Sequence, residues 1–298
     1  MTNMAAEIAA RTAYSMPSRH AIVASPVAER VCSISGMVDP MAEGRRKPGS
    51  VVWWGHATVE IHLDGVTVLT DPVLTRRVAH LVRRRGGCPP IEVHSPDAVL
   101  LSHLHSDHTH LPSLAKVSPT TPIVLPRGAS RRFGSLRKLG NPLIEISVGE
   151  SVDVGTLGIT AVPADHDGRR WRHGPRDVDA LGYVIEGSSI VYFAGDTAMF
   201  DAMAEWVPRC DLALLPVGGW GPTLGDGHMN ARDAARAASA MHAGMSIPIH
   251  HGTLWPVGLD RFRPHLFHEP GADFVVEASS LDVPATLLDP GEPWQMSD

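Results

Sequence analysis

From Val51 onward the chain alternates short apolar runs with turn residues, the signature of a strand-rich fold. Val51 to Trp54, Thr58 to Leu63 and Val66 to Thr70 form a first group, and Asp64-Gly65 between the last two predicts a tight hairpin. Further strands are expected at Ala98 to Leu101, Ile123 to Leu125, Leu143 to Ser147, Ser151 to Val154 and Gly158 to Val162, each bounded by Gly, Pro or Asp. Leu181 to Glu186 and Ile190 to Ala194 flank Gly187-Ser188-Ser189 as a second hairpin, and strands follow at Asp211 to Val217 and Ile247 to His250. Helical patterning is confined to Ser130 to Leu139 and to the alanine-rich run Asn230 to Met241, where Asn230 is the expected N-cap. Many strands with few helices predict two sheets packed together, with helices on the outside. No repeat at a solenoid period is present.

The segment before this pattern differs in kind. Glu43 to Ser50 is charged and carries Gly and Pro, which marks Met1 to Ser50 as a peripheral, poorly ordered arm and Val51 to Asp298 as one domain. Arg11, Arg19, Glu29 and Arg30 interrupt the arm's apolar stretches, so it matches neither a secretory h-region nor a membrane span. The expectation is a soluble, cytoplasmic protein, with transient contact to a bilayer left open. A length of 298 residues with 43 % hydrophobic positions supplies a substantial core. The 26 basic and 32 acidic residues, a formal charge of −6, argue against a general nucleic-acid binder, which needs a basic surface. Cys32, Cys88 and Cys210 are too scattered for a disulfide framework or a thiolate metal site. The chain does hold 17 histidines, and their clustering carries the chemistry.

Leu101-Ser102-His103-Leu104-His105-Ser106-Asp107-His108 follows the strand Ala98 to Leu101, so its polar residues sit where a loop can gather them. His103 and His105 can share one cation, and Asp107 and His108 can turn toward a second. Three more candidates also fall at strand ends: His166 after Gly158 to Val162, Asp196 in Gly195-Asp196-Thr197 after Ile190 to Ala194, and His250 after Ile247 to Ile249. Each alone reads as turn or hydrogen-bonding structure; together they read as a metal centre delivered by four strands. Imidazole plus carboxylate without thiolate suits zinc and leaves manganese or iron open.

The order His-x-His-x-Asp-His, lone His, Gly-Asp-Thr, late His resembles the metallo-β-lactamase superfamily over about Val51 to Leu259. The resemblance implies an α/β sandwich of αββα type, two mixed sheets flanked by helices, and two divalent ions. His103, His105 and His166 would hold one ion, Asp107, His108 and His250 the other, and Asp196 would bridge them. His251 competes for the last place, but Ile247-Pro248-Ile249-His250 leading into Gly252-Thr253 favours His250. Within the superfamily, Gly55-His56-Ala57-Thr58, Leu69-Thr70-Asp71-Pro72, Leu215-Pro216-Val217-Gly218 and His228-Met229-Asn230 resemble a narrower branch. That branch contains the phospholipase D enzymes that hydrolyse N-acyl phosphatidylethanolamine and the L-ascorbate-6-phosphate lactonases. His251 departs from the tryptophan usual there.

Around the ligands, Asp71 is expected to accept a hydrogen bond from the free ring nitrogen of a ligand histidine, and His56 reads as a structural histidine. His228, in a glycine-punctuated loop before a helix, is a candidate donor to a substrate oxyanion. Two divalent ions would bring a bridging water to hydroxide near neutral pH, and Asp107 would orient this nucleophile and take up a proton. Arg169 and Arg170 just after His166, the run Arg76, Arg77 and Arg83 to Arg85, Trp220 and His251 are candidates for binding an anionic small-molecule ester. Trp220 and Trp255 are equally compatible with the core.

A phosphodiester, phospholipid-like in kind, is the favoured substrate, with a lactone or sugar-phosphate ester as the alternative and a non-catalytic metal- or ligand-binding protein as a further one. The spacing from His166 to His250 leaves no room for a large nucleic-acid domain. A flavin-linked di-iron oxidoreductase would carry Glu in the first motif.

Overall fold

The computed structural model describes residues 49–171, 173–221 and 223–296. The arm expected over Met1 to Ser50 lies outside them except for Gly49 and Ser50, and Ser50 already opens the first strand. One sheet has seven strands, in the order Pro293–Gln295, Ser50–Gly55, Thr58–Leu63, Val66–Thr70, Ala98–Leu100, Ile123–Pro126 and Leu143–Ile146. Its first half pairs antiparallel and its second half parallel. The other has six strands, Met245–Ile249, Leu212–Pro216, Ile190–Phe193, Leu181–Glu186, Leu157–Pro163 and Ser151–Val154, and is mixed in the same way.

The alternation in the sequence is the packing pattern of these sheets. Val51, Trp53, Val59 and Ile61 of the first sheet meet Ile159, Tyr183, Ile185, Phe193 and Leu214 of the second in one buried core. The opposite face of the second sheet is covered by the helices Ala231–Ala240 and Pro270–Ser279, where Ala234, Ala235, Ala237 and Ala238 are fully buried with Phe274. Alanine permits this close approach, and Asn230 caps the first helix by accepting from the Asp233 backbone N–H at 2.9 Å. The outer face of the first sheet is covered by short turns of helix built on Leu114, Phe133 and Leu136. The layers are therefore helix, sheet, sheet, helix, the αββα sandwich expected.

One local expectation is corrected. The helix expected over Ser130 to Leu139 is instead a turn of α-helix, Ala129–Arg132, and a 3₁₀ stretch, Gly134–Leu139. Phe133 breaks it by leaving helical geometry to bury its ring, next to a glycine of low helix propensity. The structure adds elements beyond those expected: the small sheet of Arg77–Val78, Leu81–Arg83 and Leu254–Pro256, the Pro270–Ser279 helix and the edge strand Pro293–Gln295. That edge strand is a proline followed by Trp and Gln, which shows no alternation.

Topology concentrates chemistry at one edge. Strands Val66–Thr70 and Ala98–Leu100 run parallel in one sheet, and Ile190–Phe193, Leu212–Pro216 and Met245–Ile249 run parallel in the other. Their carboxyl ends open into loops on a common rim, the usual ligand-binding position in such sheets. A buried phenol ties the two sheets there: Tyr183 Oη donates to the Leu101 carbonyl at 2.7 Å, one residue before Ser102. Tyr183→Phe leaves that buried carbonyl without a donor. We expect a loss of roughly 1–3 kcal/mol, read as a lower urea midpoint with an unchanged slope; an unchanged midpoint would contradict this role for the phenol.

Candidate metal centre

Three non-glycine residues with left-handed backbone converge on this rim: His56 (φ 55°), Asp71 (φ 34°) and His250 (φ 59°). Such conformations cost on the order of 1–3 kcal/mol each and persist where the surroundings enforce them, commonly at functional sites. Close approach of the two sheet edges is set by Gly195 (φ 62°), where a Cβ would lie 2.6 Å from Ser102 Cβ and 3.0 Å from the Leu181 carbonyl oxygen. Only glycine lets the Gly195-Asp196-Thr197 turn close on the histidine loop.

The seven residues expected as ligands come together. His103 Nε2 lies 2.9 Å from His105 Nδ1, which lies 3.2 Å from His166 Nε2. His108 Nε2 and His250 Nε2 are 3.2 Å apart. Asp196 stands between the two groups, with Oδ2 3.1 Å from His108 Nε2 and 4.0 Å from His166 Nε2, and Oδ1 3.2 Å from His250 Nε2. Of the neighbouring pair it is His250, not His251, that enters the cluster. His251 is buried, stacked on Trp53 at 4.8 Å between ring centroids, because Gly271 leaves room for its imidazole beneath the rim.

The outward ring nitrogens are held by acceptors. His108 Nδ1 is 2.6 Å from Asp71 Oδ2, His166 Nδ1 is 2.8 Å from the Gly227 carbonyl, and His250 Nδ1 is 3.0 Å from the Gly218 carbonyl. Asp71 is itself fixed, accepting from the Ser102 backbone N–H at 2.8 Å and from Ser102 Oγ at 2.5 Å. These contacts fix protons on the Nδ1 atoms and leave Nε2 directed inward, the usual support for metal-binding histidines.

The arrangement fits a divalent cation on three counts. Facing imidazole nitrogens 2.9 to 3.2 Å apart match ligands roughly 3.3 Å apart around an ion with bonds of about 2.0 Å. Asp196 Oδ1 is buried and accepts no hydrogen bond. Finally, Asp71, Asp107 and Asp196 are all buried within one cluster, a charge that calls for cations.

Protonation follows from this crowding. Burial, reinforced by neighbouring imidazoles, holds His103 well below the usual histidine range, and burial pushes His166 down to about 4 and lowers His105. All three are therefore neutral bases near pH 7. For His108 burial also opposes charge, but Asp196, Asp71 and Asp107 together outweigh it and raise the imidazole well above its ordinary value. Asp107 and Asp196 resist burial in turn, held low by the imidazoles around them.

The other expected residues divide. Asp107, Arg170, Trp220 and His228 line a cleft of about 310 Å³ over the cluster. His228 Nε2 lies 3.5 Å from Asp196 Oδ2, and the Trp220 indole donates to Asp107 Oδ2 at 3.0 Å. Arg170 is anchored by the Leu104 and Thr109 carbonyls at 3.0 and 2.8 Å and lies over the Phe133 ring. Arg169 is absent from the cleft lining because Asp167, two residues back, captures its guanidinium. His251 is likewise absent, buried beneath the rim. In the other arginine run, Arg84 pairs with Asp260 and Arg85 with Asp289, while Arg83 is buried against the Trp54 and Val73 carbonyls. Trp255 is core. His56, read from the sequence as structural, has its Nε2 3.0 Å from Asp107 Oδ2 and its ring 4.0 Å from that of His250. The available signal was its place at the end of the first strand, on the same rim.

Residues 66–251 match the family model of the beta-lactamase superfamily domain. The chain belongs to the metallo-β-lactamase superfamily. It is 30 % identical over 250 residues to a metal-dependent hydrolase of Methanopyrus kandleri, covering 82 % of this chain and 99 % of that relative. It is 28 % identical over 275 residues to the N-acyl-phosphatidylethanolamine-hydrolyzing phospholipase D 1 of Caenorhabditis elegans, 83 % of this chain and 75 % of that one. Among solved structures, Igni18, a metallo hydrolase from Ignicoccus hospitalis, shares the fold with a TM-score of 0.64 at 21 % identity, covering 85 % of this chain and all 100 % of its own. As a superfamily member the chain is a metal-dependent hydrolase, and the His and Asp cluster suggests its metal site. Among the described residues no helix is long and apolar enough to cross a membrane.

The raised His108 generates a pH prediction. A proton held by that imidazole must leave when its Nε2 takes a metal ion, so affinity at the His108 and His250 pair should rise with pH. His103, His105 and His166, already neutral, should compete with protons only in acid. Titration calorimetry near pH 7 in buffers of differing ionisation enthalpy should show proton release on metal uptake; uptake without release, and affinity flat between about pH 6 and 8, would contradict the assignment of charge.

Proposed function

We propose that this chain is a hydrolase that uses two divalent metal ions, zinc by the chemistry of its donors, to cleave a phosphodiester in a phospholipid-like substrate. The observation that carries the reading is Asp196, whose Oδ2 stands between His108 of one donor set and His166 of the other while its Oδ1 faces His250, at the foot of a cleft lined by Arg170, Trp220 and His228. In this reading His103, His105 and His166 would hold one ion, Asp107, His108 and His250 would hold the other, and Asp196 would contribute to both. When bound, such a pair supplies Lewis acidity toward a phosphoryl or carbonyl oxygen and a water acidic enough to react near neutral pH.

The side chains do the rest. Asp107 stays ionised, because the imidazoles around it hold its carboxyl low despite burial, so it can accept and orient a proton of water in the cleft. His228 is raised against the effect of burial by its contact with Asp196, which favours the charged, donating imidazole. From the cleft wall that donor can meet an oxygen that gains charge as the ester bond breaks. Arg170 adds a fixed positive charge to the same wall, a feature that suits an anionic diester more than a neutral lactone. The resemblance to the C. elegans phospholipase D supports the choice of bond.

The test is a panel of bis(p-nitrophenyl) phosphate, glycerophospholipids, lactones and thioesters offered to metal-loaded protein and to an Asp107→Ala variant that retains at least one ion. We expect phosphodiester turnover that falls about 100-fold or more in the variant. Lactone opening with untouched phosphodiesters would overturn the substrate, and equal near-zero rates for both proteins would overturn the enzyme.

A further inference from the structure

We infer that His56 is a positioning residue for Asp107, donating to the carboxylate oxygen that lies nearest the His108 imidazole and so holding that side chain at the metal centre; the inference rests on the reading of Asp107 as a ligand of the second ion. Asp107 Oδ2 has two donors, His56 Nε2 and Trp220 Nε1, each at 3.0 Å. That same oxygen lies 3.8 Å from His108 Nε2, so both donors act on the oxygen turned toward the cluster. An ionised carboxylate only accepts, so the proton between the two residues sits on His56 Nε2. A nitrogen that carries this proton has no lone pair to offer a cation. The hydrogen bond makes His56 a donor to Asp107, and its ring nitrogen lies within reach of the same donor group, so donor and ligand are separated by experiment.

The backbone that carries His56 is built for this purpose. Gly55 makes the turn at φ 101°, where a Cβ would sit 2.5 Å from Thr253 Cγ2 and 2.9 Å from Arg83 Nη1. Arg83 Nη1 in turn donates to the Trp54 carbonyl at 2.6 Å. His56 then adopts a left-handed conformation that glycine or asparagine would occupy with less strain. Its carbonyl accepts from Trp53 Nε1 at 2.9 Å and from the His250 backbone N–H at 2.8 Å. One turn thus holds Asp107 through its side chain and His250 through its backbone, fixing two members of one donor set that are far apart in sequence. Thr58 secures the turn from the other side, donating to the Asp71 carbonyl at 2.9 Å and accepting from the Val73 N–H at 2.9 Å.

The experiment compares wild type, His56→Ala, His56→Gln and Trp220→Phe as cobalt(II)-loaded proteins, reading chelator competition for each ion, the visible cobalt spectrum and the split between kcat and KM. Glutamine places an amide N–H near the Nε2 position. His56→Ala should weaken the second ion and lower kcat, each by about 10–100-fold, with KM and the first ion unchanged. His56→Gln should recover most of this loss, and Trp220→Phe should show a smaller loss in the same direction. Wild-type affinity and spectrum for both ions in His56→Ala would overturn the inference alone. So would a His56→Gln as impaired as His56→Ala with an altered cobalt spectrum, since His56 would then be a ligand. Uptake of only one ion by the wild type would overturn the two-ion reading and this inference with it.

Discussion

Three carboxylates, Asp71, Asp107 and Asp196, are buried at one rim of two packed sheets, and the surrounding structure is arranged to make that charge tolerable. Burying a carboxylate without a partner is prohibitive. Each here is met by imidazole: His108 at Asp71 and Asp196, His56 at Asp107, His250 at Asp196. One of those imidazoles, His108, is held charged by the carboxylates themselves. The same groups that hold a proton on His108 present nitrogen and oxygen donors to a cation, so the charge balance of the cluster and its fit to a metal ion have one cause.

The fold's contribution is to bring residues far apart in sequence to that rim and hold them in conformations they would not choose alone. His56, Asp71 and His250 take left-handed backbone there, each secured by backbone or hydroxyl hydrogen bonds. Gly195 lets the second sheet's edge approach Ser102, and Tyr183 spans the sheets one residue earlier. The glycine-rich loop between Gly218 and His228 adds carbonyls that fix His166 and His250, and side chains that reach Asp107 and Asp196. That loop thus forms part of the cluster's support and part of the cleft wall.

Much of this was legible in the sequence because the ligand types are unusual and the strands short. Alternation located most strands to within a residue or two, and Asn230 marked its helix by capping chemistry. The first histidine motif was dense enough to stand alone, and Asp71 was legible because an aspartate directly after a strand has a clear second use. Less legible were features set by distant packing. Phe133 breaks a helix in order to bury its ring, which local propensity does not reveal. Arg169 lay beside Arg170 in sequence, yet the nearby Asp167 captures one and backbone carbonyls hold the other at the cleft. His251 was separated from His250 only by the Gly271 cradle, and the use of His56 only by the loop that brings Asp107 to it.

In the proposed arrangement one buried cluster accommodates two cations about Asp196. Its most direct test is a crystal structure of the metal-loaded protein with anomalous diffraction at the metal edge. Two peaks are expected about 3.5–4 Å apart, on either side of the Asp196 carboxylate, one within bonding distance of His103, His105 and His166 and the other of Asp107, His108 and His250. A single peak, or peaks bound by other residues, would contradict it.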